Sequence, residues 1–318
     1  MGTAQLGYLE EEPDRAPRGP GAAPLALALA VVGLLVAGSA GVAIHKPGQG
    51  GGTRLGVGQP APIALASAAA ALRSHTVRMH MTISVVVTTH GRVVNTDVNG
   101  DGQTDYAARA TQMAMTISVA GTGGLPQLLS EEFRIVGGYV YLRVPRGAGL
   151  GLPPGKLWVR QPLPPQLANA GASDPSQSID QLRSLAKELQ VVGTETVGGL
   201  ETTHYRATVV LADTPAWAAI QARSPALVNN PVMQALAHRP FTVDAWIDTD
   251  GRLRRMGETI QFFLAGVVPG AGPGDGEVTR STIDVIDYGA PVRVEAPPAD
   301  QTSDHPIPGL FGNPLAPG

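Results

Sequence analysis

The chain has 318 residues, 43% of them hydrophobic, and a formal net charge of −3. That balance sets up no single-sign field, so neither nucleic acid nor an acidic surface is an implied partner. With Cys 0 in the composition, disulfides, cysteine-ligated zinc, a thiol nucleophile and lipid attachment at a cysteine are excluded, and stability is left to packing.

Residues 1–23 carry Glu10, Glu11, Glu12 and Asp14 and end in a Pro/Gly cluster, which predicts a disordered cytoplasmic tail. The uncharged run Leu25 to Ile44 follows. As a helix it is about 30 Å long, enough to cross a bilayer core. It predicts a transmembrane helix or signal anchor over 24–45, with everything downstream outside the plasma membrane. Gly38-Ser39-Ala40 and Gly41-Val42-Ala43 offer the small residues of a cleavage site, so a secreted form is the alternative. Arg15 and Arg18 before the run balance Lys46 and Arg54 after it, leaving orientation unset by charge. A Gly/Pro-rich linker spans 46–62, the folded domain 63–298, and a Pro-rich tail expected to be disordered 299–318.

Within the domain, Ile63 to Ser74 is Ala-rich and predicts a helix. From Val77 to Val87 the odd positions Val77, Met79, Met81, Ile83, Val85 and Val87 are apolar and the even ones mostly polar, the period of a strand with one greasy face. Met113, Met115, Ile117 and Val119 repeat it. Phe133 to Val144 reads as two strands around a Gly137-Gly138 hairpin turn. Further strands are predicted at Leu189 to Val197, Thr202 to Leu211, Phe241 to Asp248, Leu253 to Leu264 and Val278 to Tyr288, with hairpin dipeptides at Gly198-Gly199 and Asp250-Gly251. Ser178-Ile179-Asp180-Gln181 has capping-box form and opens the stripe Ile179, Leu182, Leu185 and Leu189. Thr214-Pro215 and Asn230-Pro231 predict helices near 215–223 and 231–238. A mostly antiparallel sheet with helices grouped on one face is an α+β fold.

Reactive chemistry is sparse. The histidines His45, His75, His80, His90, His204, His238 and His305 are dispersed without metal spacing and read as exposed. The near-match to a nucleophile elbow around Ser39 has Ala37 where Gly is required. Gly151 to Leu157 lacks the spacing of a phosphate loop and reads as a loop before a strand. Asp97, Asn99, Asp101, Gly102 and Asp105 fit a calcium loop, yet Ala108 stands where the bidentate Glu belongs, and Asn99-Gly100-Asp101-Gly102 reads equally as a hairpin turn. No catalytic residue, metal or cofactor is indicated, and a non-enzyme is expected.

Motif order adds a resemblance. Gly102-x-x-Asp105-Tyr106 is followed by Arg134-Ile135-Val136-Gly137-Gly138-Tyr139-Val140-Tyr141, Gly155-Lys156-Leu157-Trp158-Val159 and Val192-Gly193-x-Glu195-x-Val197-x-Gly199. Then come Thr203-His204-Tyr205-Arg206, Trp246-Ile247-Asp248-x-x-Gly251-Arg252-Leu253-Arg254-Arg255 and Asp287-Tyr288-Gly289. This order resembles the actinobacterial LppX/LprG-type lipoproteins of the cell envelope, relatives of the LolA/LolB-like carriers. The resemblance implies a curled, mostly antiparallel half-barrel sheet with helices on its concave face, around an apolar cavity that shelters acyl chains. The chain departs from that family in lacking the lipobox cysteine, so the Leu25 to Ile44 helix takes the place of an acyl anchor.

The candidate cavity lining is Met79, Met81, Ile83, Val85, Met113, Met115, Ile117 and Val119. Flexible, polarizable methionines suit an adaptable pocket or an ordinary core, and the residues alone leave both open. Arg143, Arg146, Lys156 and Arg160 gather near one loop, facing an anionic head group or only solvent. The first functional reading is non-enzymatic extracytoplasmic binding and transfer of acylated lipids or lipoglycans. The alternative is a membrane-anchored sensor or regulatory module whose partner is a membrane protein.

Overall fold

Alternation of apolar and polar residues turns most of the domain into strands. The computed structural model describes residues 61–74, 76–121, 127–144, 152–163, 189–214, 217–218, 221, 228–267 and 269–304. In chain order these form α1 (Ala61–Ser74), β1 (Thr76–Thr89), β2 (Arg92–Asp105), β3 (Ala110–Gly121), β4 (Gln127–Val136), β5 (Tyr139–Arg143) and β6 (Trp158–Pro162). There follow β7 (Gln190–Val197), β8 (Leu200–Val210), α2 (Pro231–Ala237), β9 (Pro240–Asp248), β10 (Leu253–Phe263), β11 (Gly276–Tyr288) and β12 (Thr302–Ser303). They make one curled, open sheet of 12 strands in the order β12-β6-β5-β4-β3-β2-β1-β11-β10-β9-β8-β7. Neighbours are antiparallel throughout except β12, which runs parallel to β6. Two-residue turns close the hairpins where the sequence predicts them, with φ of 62° and 79° at Gly137 and Gly138 and 58° and 80° at Gly198 and Gly199.

The region that reads in sequence as a hairpin turn, or as a calcium loop lacking its bidentate Glu, is the middle of β2. Gly100 lies between Met81 and Met115, and Gly102 between Met79 and Met113. A Cβ on Gly100 would stand 2.9 Å from Met115 Cγ, and one on Gly102 3.0 Å from Met113 Cε. These glycines make room for methionines on both flanking strands, and the chain turns instead at His90-Gly91 and at 106–109. Asp97, Asn99 and Asp101 alternate onto the opposite face in steps of about 7 Å, too far apart to converge on one ion.

Helix α1 lies against β1, β9 and β10. Its buried stripe, Ala64, Leu65, Ala68, Ala69 and Leu72, is mostly alanine, which lets it approach closely. At α2 the Asn230 side chain caps the first turn, accepting from the Val232 N–H at 2.9 Å and the Met233 N–H at 3.4 Å. Met233 and Ala237 pack with Trp217 and Val228. Of the helix expected over 215–223, residues 217, 218 and 221 are helical. The segment 178–188, with its capping box, and all of 1–60, including Leu25 to Ile44, lie outside the described residues. Among the described residues no helix is long and apolar enough to cross a membrane.

The tail expected to be disordered from residue 299 begins with ordered structure. Thr302 pairs with Trp158 and Ser303 with Val159, so β12 covers the open edge of β6. Residues 290–299 lead there as a strap of carbonyl acceptors. The Thr76 hydroxyl donates to Ala290 O at 2.6 Å, Arg78 to Pro291 O at 3.2 Å, Gln103 to Arg293 O at 3.2 Å, Arg134 to Glu295 O at 3.0 Å and Lys156 to Ala299 O at 3.3 Å. Proline richness suggested disorder, but a proline removes only an N–H donor, and the backbone carbonyls of this segment, that of Pro291 among them, are bound by polar side chains.

Gly100→Ala should lower unfolding free energy by about 1–3 kcal/mol through overpacking against Met115. A Cβ on Gly257 meets Trp246 only at 3.5 Å, so Gly257→Ala should be neutral or mildly stabilising. Denaturant unfolding of the two variants checks this; equal effects would contradict the packing described.

Candidate functional site

Period-two alternation gives the sheet two chemically different faces. On the polar face one register line crosses the sheet through His204 (β8), Trp246 (β9), Arg255 (β10), Asp284 (β11), His80 (β1), Asp101 (β2), Ala114 (β3) and Glu132 (β4). Arg255 binds Asp284 through two hydrogen bonds, at 2.6 and 3.0 Å, and His80 Nδ1 lies 2.8 Å from Asp101 Oδ1. Glu132 Oε1 accepts from Gln112 at 2.8 Å and from Arg134 at 2.9 and 2.8 Å.

Among the described histidines, His204 departs from the exposure expected: it is buried, at 3% exposure. Its Nδ1 is 2.8 Å from Glu195 Oε1, its Nε2 is 2.6 Å from Asp244 Oδ1, and its ring stacks on Trp246 at 4.2 Å. Trp246 donates to Glu195 Oε2 at 2.8 Å and Arg206 to Asp244 Oδ1 at 2.7 Å. The Trp246 and His204 hydrogen bonds hold the Glu195 carboxyl below its ordinary range. With a carboxylate at each ring nitrogen, the cluster works as a clamp that ties β7 and β8 to β9.

On the apolar face the structure brings all eight predicted residues together. Met79, Met81, Ile83 and Val85 on β1 and Met113, Met115 and Ile117 on β3 are buried, and Val119 is half-buried. Gly102, Gly100, Val98 and Thr96 of β2 fill the rows between them. The same rows continue into strands that the alternation alone did not connect. The row of Met81 and Met115 runs on to Glu131 of β4 at one end and to Ile283 and Met256 at the other. The row of Ile83 and Ile117 runs on to Leu129, and to Ser281, Glu258 and Val243.

Two carboxyl side chains, those of Glu131 and Glu258, therefore stand among the apolar residues of this face, which also carries Ser281, Thr96 and Thr279 and, at its end, Glu277. Burial pushes both the Glu131 and the Glu258 carboxyl up from the ordinary value. Both keep some accessible surface, and neither has a hydrogen-bond or ion-pair partner among the described residues. Glu131-Glu132 and Gly257-Glu258 look like solvent-facing polar pairs in sequence; only the pairing of β4 with β3 and of β10 with β11 fixes which carboxyl turns inward.

Among the described residues, the three cations proposed for a head group each have another partner. Arg160 forms a paired contact with Asp304 at 2.7 and 2.8 Å and lies 4.8 Å from the Tyr139 ring centroid. Lys156 binds the strap, Arg143 lies 3.9 Å from Glu132, and Arg146 is outside the described residues. At one end of the apolar face, the buried Asp275 carboxylate accepts from the His90 N–H at 2.6 Å and the Gly272 N–H at 2.9 Å, bonds that hold it below its ordinary range. Among the described residues no cluster of His, Cys, Asp or Glu is built to hold a metal.

No family model matches the chain, and no curated protein matches it. Among solved structures it is similar to LprF from Mycobacterium bovis, at 17% identity and a TM-score of 0.39 over 74% of this chain and 96% of that one. It is also similar to the lipoprotein LppX from Mycobacterium tuberculosis, at 15% identity and a TM-score of 0.36 over 74% of this chain and 98% of that one. A DUF1329 family protein from Desulfovibrio piger follows, at 10% identity and a TM-score of 0.26 over 74% of this chain and 95% of that one.

The inward carboxyls make a pH prediction with a definite sign. A raised carboxyl keeps its proton in the folded state after the unfolded chain has lost it near 4.5, so it destabilises the fold as pH rises from there through the raised value. The melting-temperature advantage of Glu131→Gln/Glu258→Gln over the parent should grow between about pH 4 and about pH 7. A constant difference across that range would contradict burial of these groups.

Proposed function

We propose that this chain binds acylated lipids or lipoglycans on the apolar face of its curled sheet, outside the plasma membrane, and passes them on without catalysing a reaction. The observation that carries this reading is the half-buried state of Leu129, Phe133, Ile260 and Ile283. Apolar side chains of a finished core are sealed, whereas Phe133 and Ile283 share rows with buried methionines, Leu129 with Ile83 and Ile117, and Ile260 with Val85, and all four keep accessible surface. Met79, Met81, Ile83, Val85, Met113, Met115, Ile117 and Val119 form the floor, and the face that bears them is the concave one. Acyl chains laid on it gain about 0.8 kcal/mol per methylene removed from water, and the methionines adapt to chain shape. The Leu25 to Ile44 run holds the domain at the membrane.

One observation favours the sensor alternative. β7 is an edge strand of the sheet, and Val191 and Val192 on it are 57% and 48% exposed, a surface that suits pairing with a membrane protein.

Displacement of a fluorescent monoacylglycerol separates the two. Ile283→Trp should fill the accessible part of the apolar face and weaken lipid binding at least about tenfold, while melting stays close to the parent. Thr116→Trp, on the exposed polar face of β3, should change neither. Parent-like binding in Ile283→Trp removes this face from the site.

A further inference from the structure

Glu131 and Glu258 have no task in a surface that only excludes water. They lie in adjacent rows, Glu131 beside Met115 on the β4 arm and Glu258 beside Ser281 on the β10 arm, with β11, β1, β2 and β3 between them. Adjacent rows are offset by about 7 Å along a strand, so the two carboxyls stand one row apart on the same face, on either side of the methionine rows. An unpartnered polar group in apolar surroundings is costly, and nothing among the described residues offsets it here.

Resting on the lipid-binding reading above, we propose that Glu131 and Glu258 form a polar subsite inside the apolar face that hydrogen-bonds hydroxyl groups carried part-way along lipid chains. The ligand class is then a hydroxylated acyl lipid, not one with plain hydrocarbon chains. The chemistry selects an alcohol over a cation. Burial favours the neutral carboxyl, which both donates and accepts, as an alcohol does; an ammonium group needs the ionised form that the same surroundings penalise. Ser281, the cross-strand neighbour of Glu258, adds a second hydroxyl-directed group. The subsite also lies apart from the rim, where the Thr279 hydroxyl already donates to Glu277 at 2.7 Å.

The test uses the full chain held in amphipol and displacement of a fluorescent monoacylglycerol by neutral esters: methyl stearate, a positional series of methyl monohydroxystearates, and the matching amino esters. The best hydroxy ester should bind about threefold to tenfold more tightly than methyl stearate, the worth of one net hydrogen bond. Glu131→Leu/Glu258→Leu should bind methyl stearate at least as well as the parent and lose the preference for hydroxyl, while Glu131→Gln/Glu258→Gln, which can still donate and accept, should keep part of it. If the plain and hydroxy esters bind equally, the subsite is wrong and the lipid site stands. A preference that survives in the double Leu variant, or an amino ester that binds best, also overturns it. Failure of every ester to bind overturns the lipid reading and the subsite together.

Discussion

The structure depends on the backbone register of β1 between β2 and β11. Side chains alternate with a period of two residues, so a slip of one position would carry every methionine of β1 to the polar face and His80 into the apolar one. Gly100 and Gly102 enforce the register from below, because the crowded rows of Met79, Met81, Met113 and Met115 close only over residues without a Cβ. The β1–β11 pairing shifts between Arg78 and Met79, where Ile286 is the extra residue of a bulge that restores the inward phase of Val285.

The polar face supports the same register from the other side. Arg255 with Asp284 and His80 with Asp101 are cross-strand neighbours, so their bonds form only when the rows above are correctly aligned. Exposed ion pairs contribute little each, about 0–1 kcal/mol, and their weight here is in specifying alignment more than in stability. The buried His204 clamp secures β7 and β8, and the 290–299 strap with β12 secures the opposite flank. Both flanks of the sheet that bears the apolar face are thus held by polar contacts.

Local patterns were legible in sequence because they depend on near neighbours: the alternation of β1 and β3, the glycine hairpins at 137–138 and 198–199, and the Asn230 cap all appear where predicted. What depended on distant pairing was not. Asn99-Gly100-Asp101-Gly102 has the composition of a turn, and only the methionines of two other strands explain glycine at mid-strand. The buried His204 needs Glu195 and Asp244 from two different strands, and the ordered tail needs a free edge on β6. The methionine floor could be read from β1 and β3 alone, whereas the inward glutamates required the pairings of β4 and β10.

Native mass spectrometry of the full chain, released from membranes into the gas phase, tests the central claim most directly. The account predicts a protein ion that carries co-purified lipid in the parent and loses it in Ile283→Trp. A lipid-free ion in the parent, or one that travels only with a membrane protein, would contradict it.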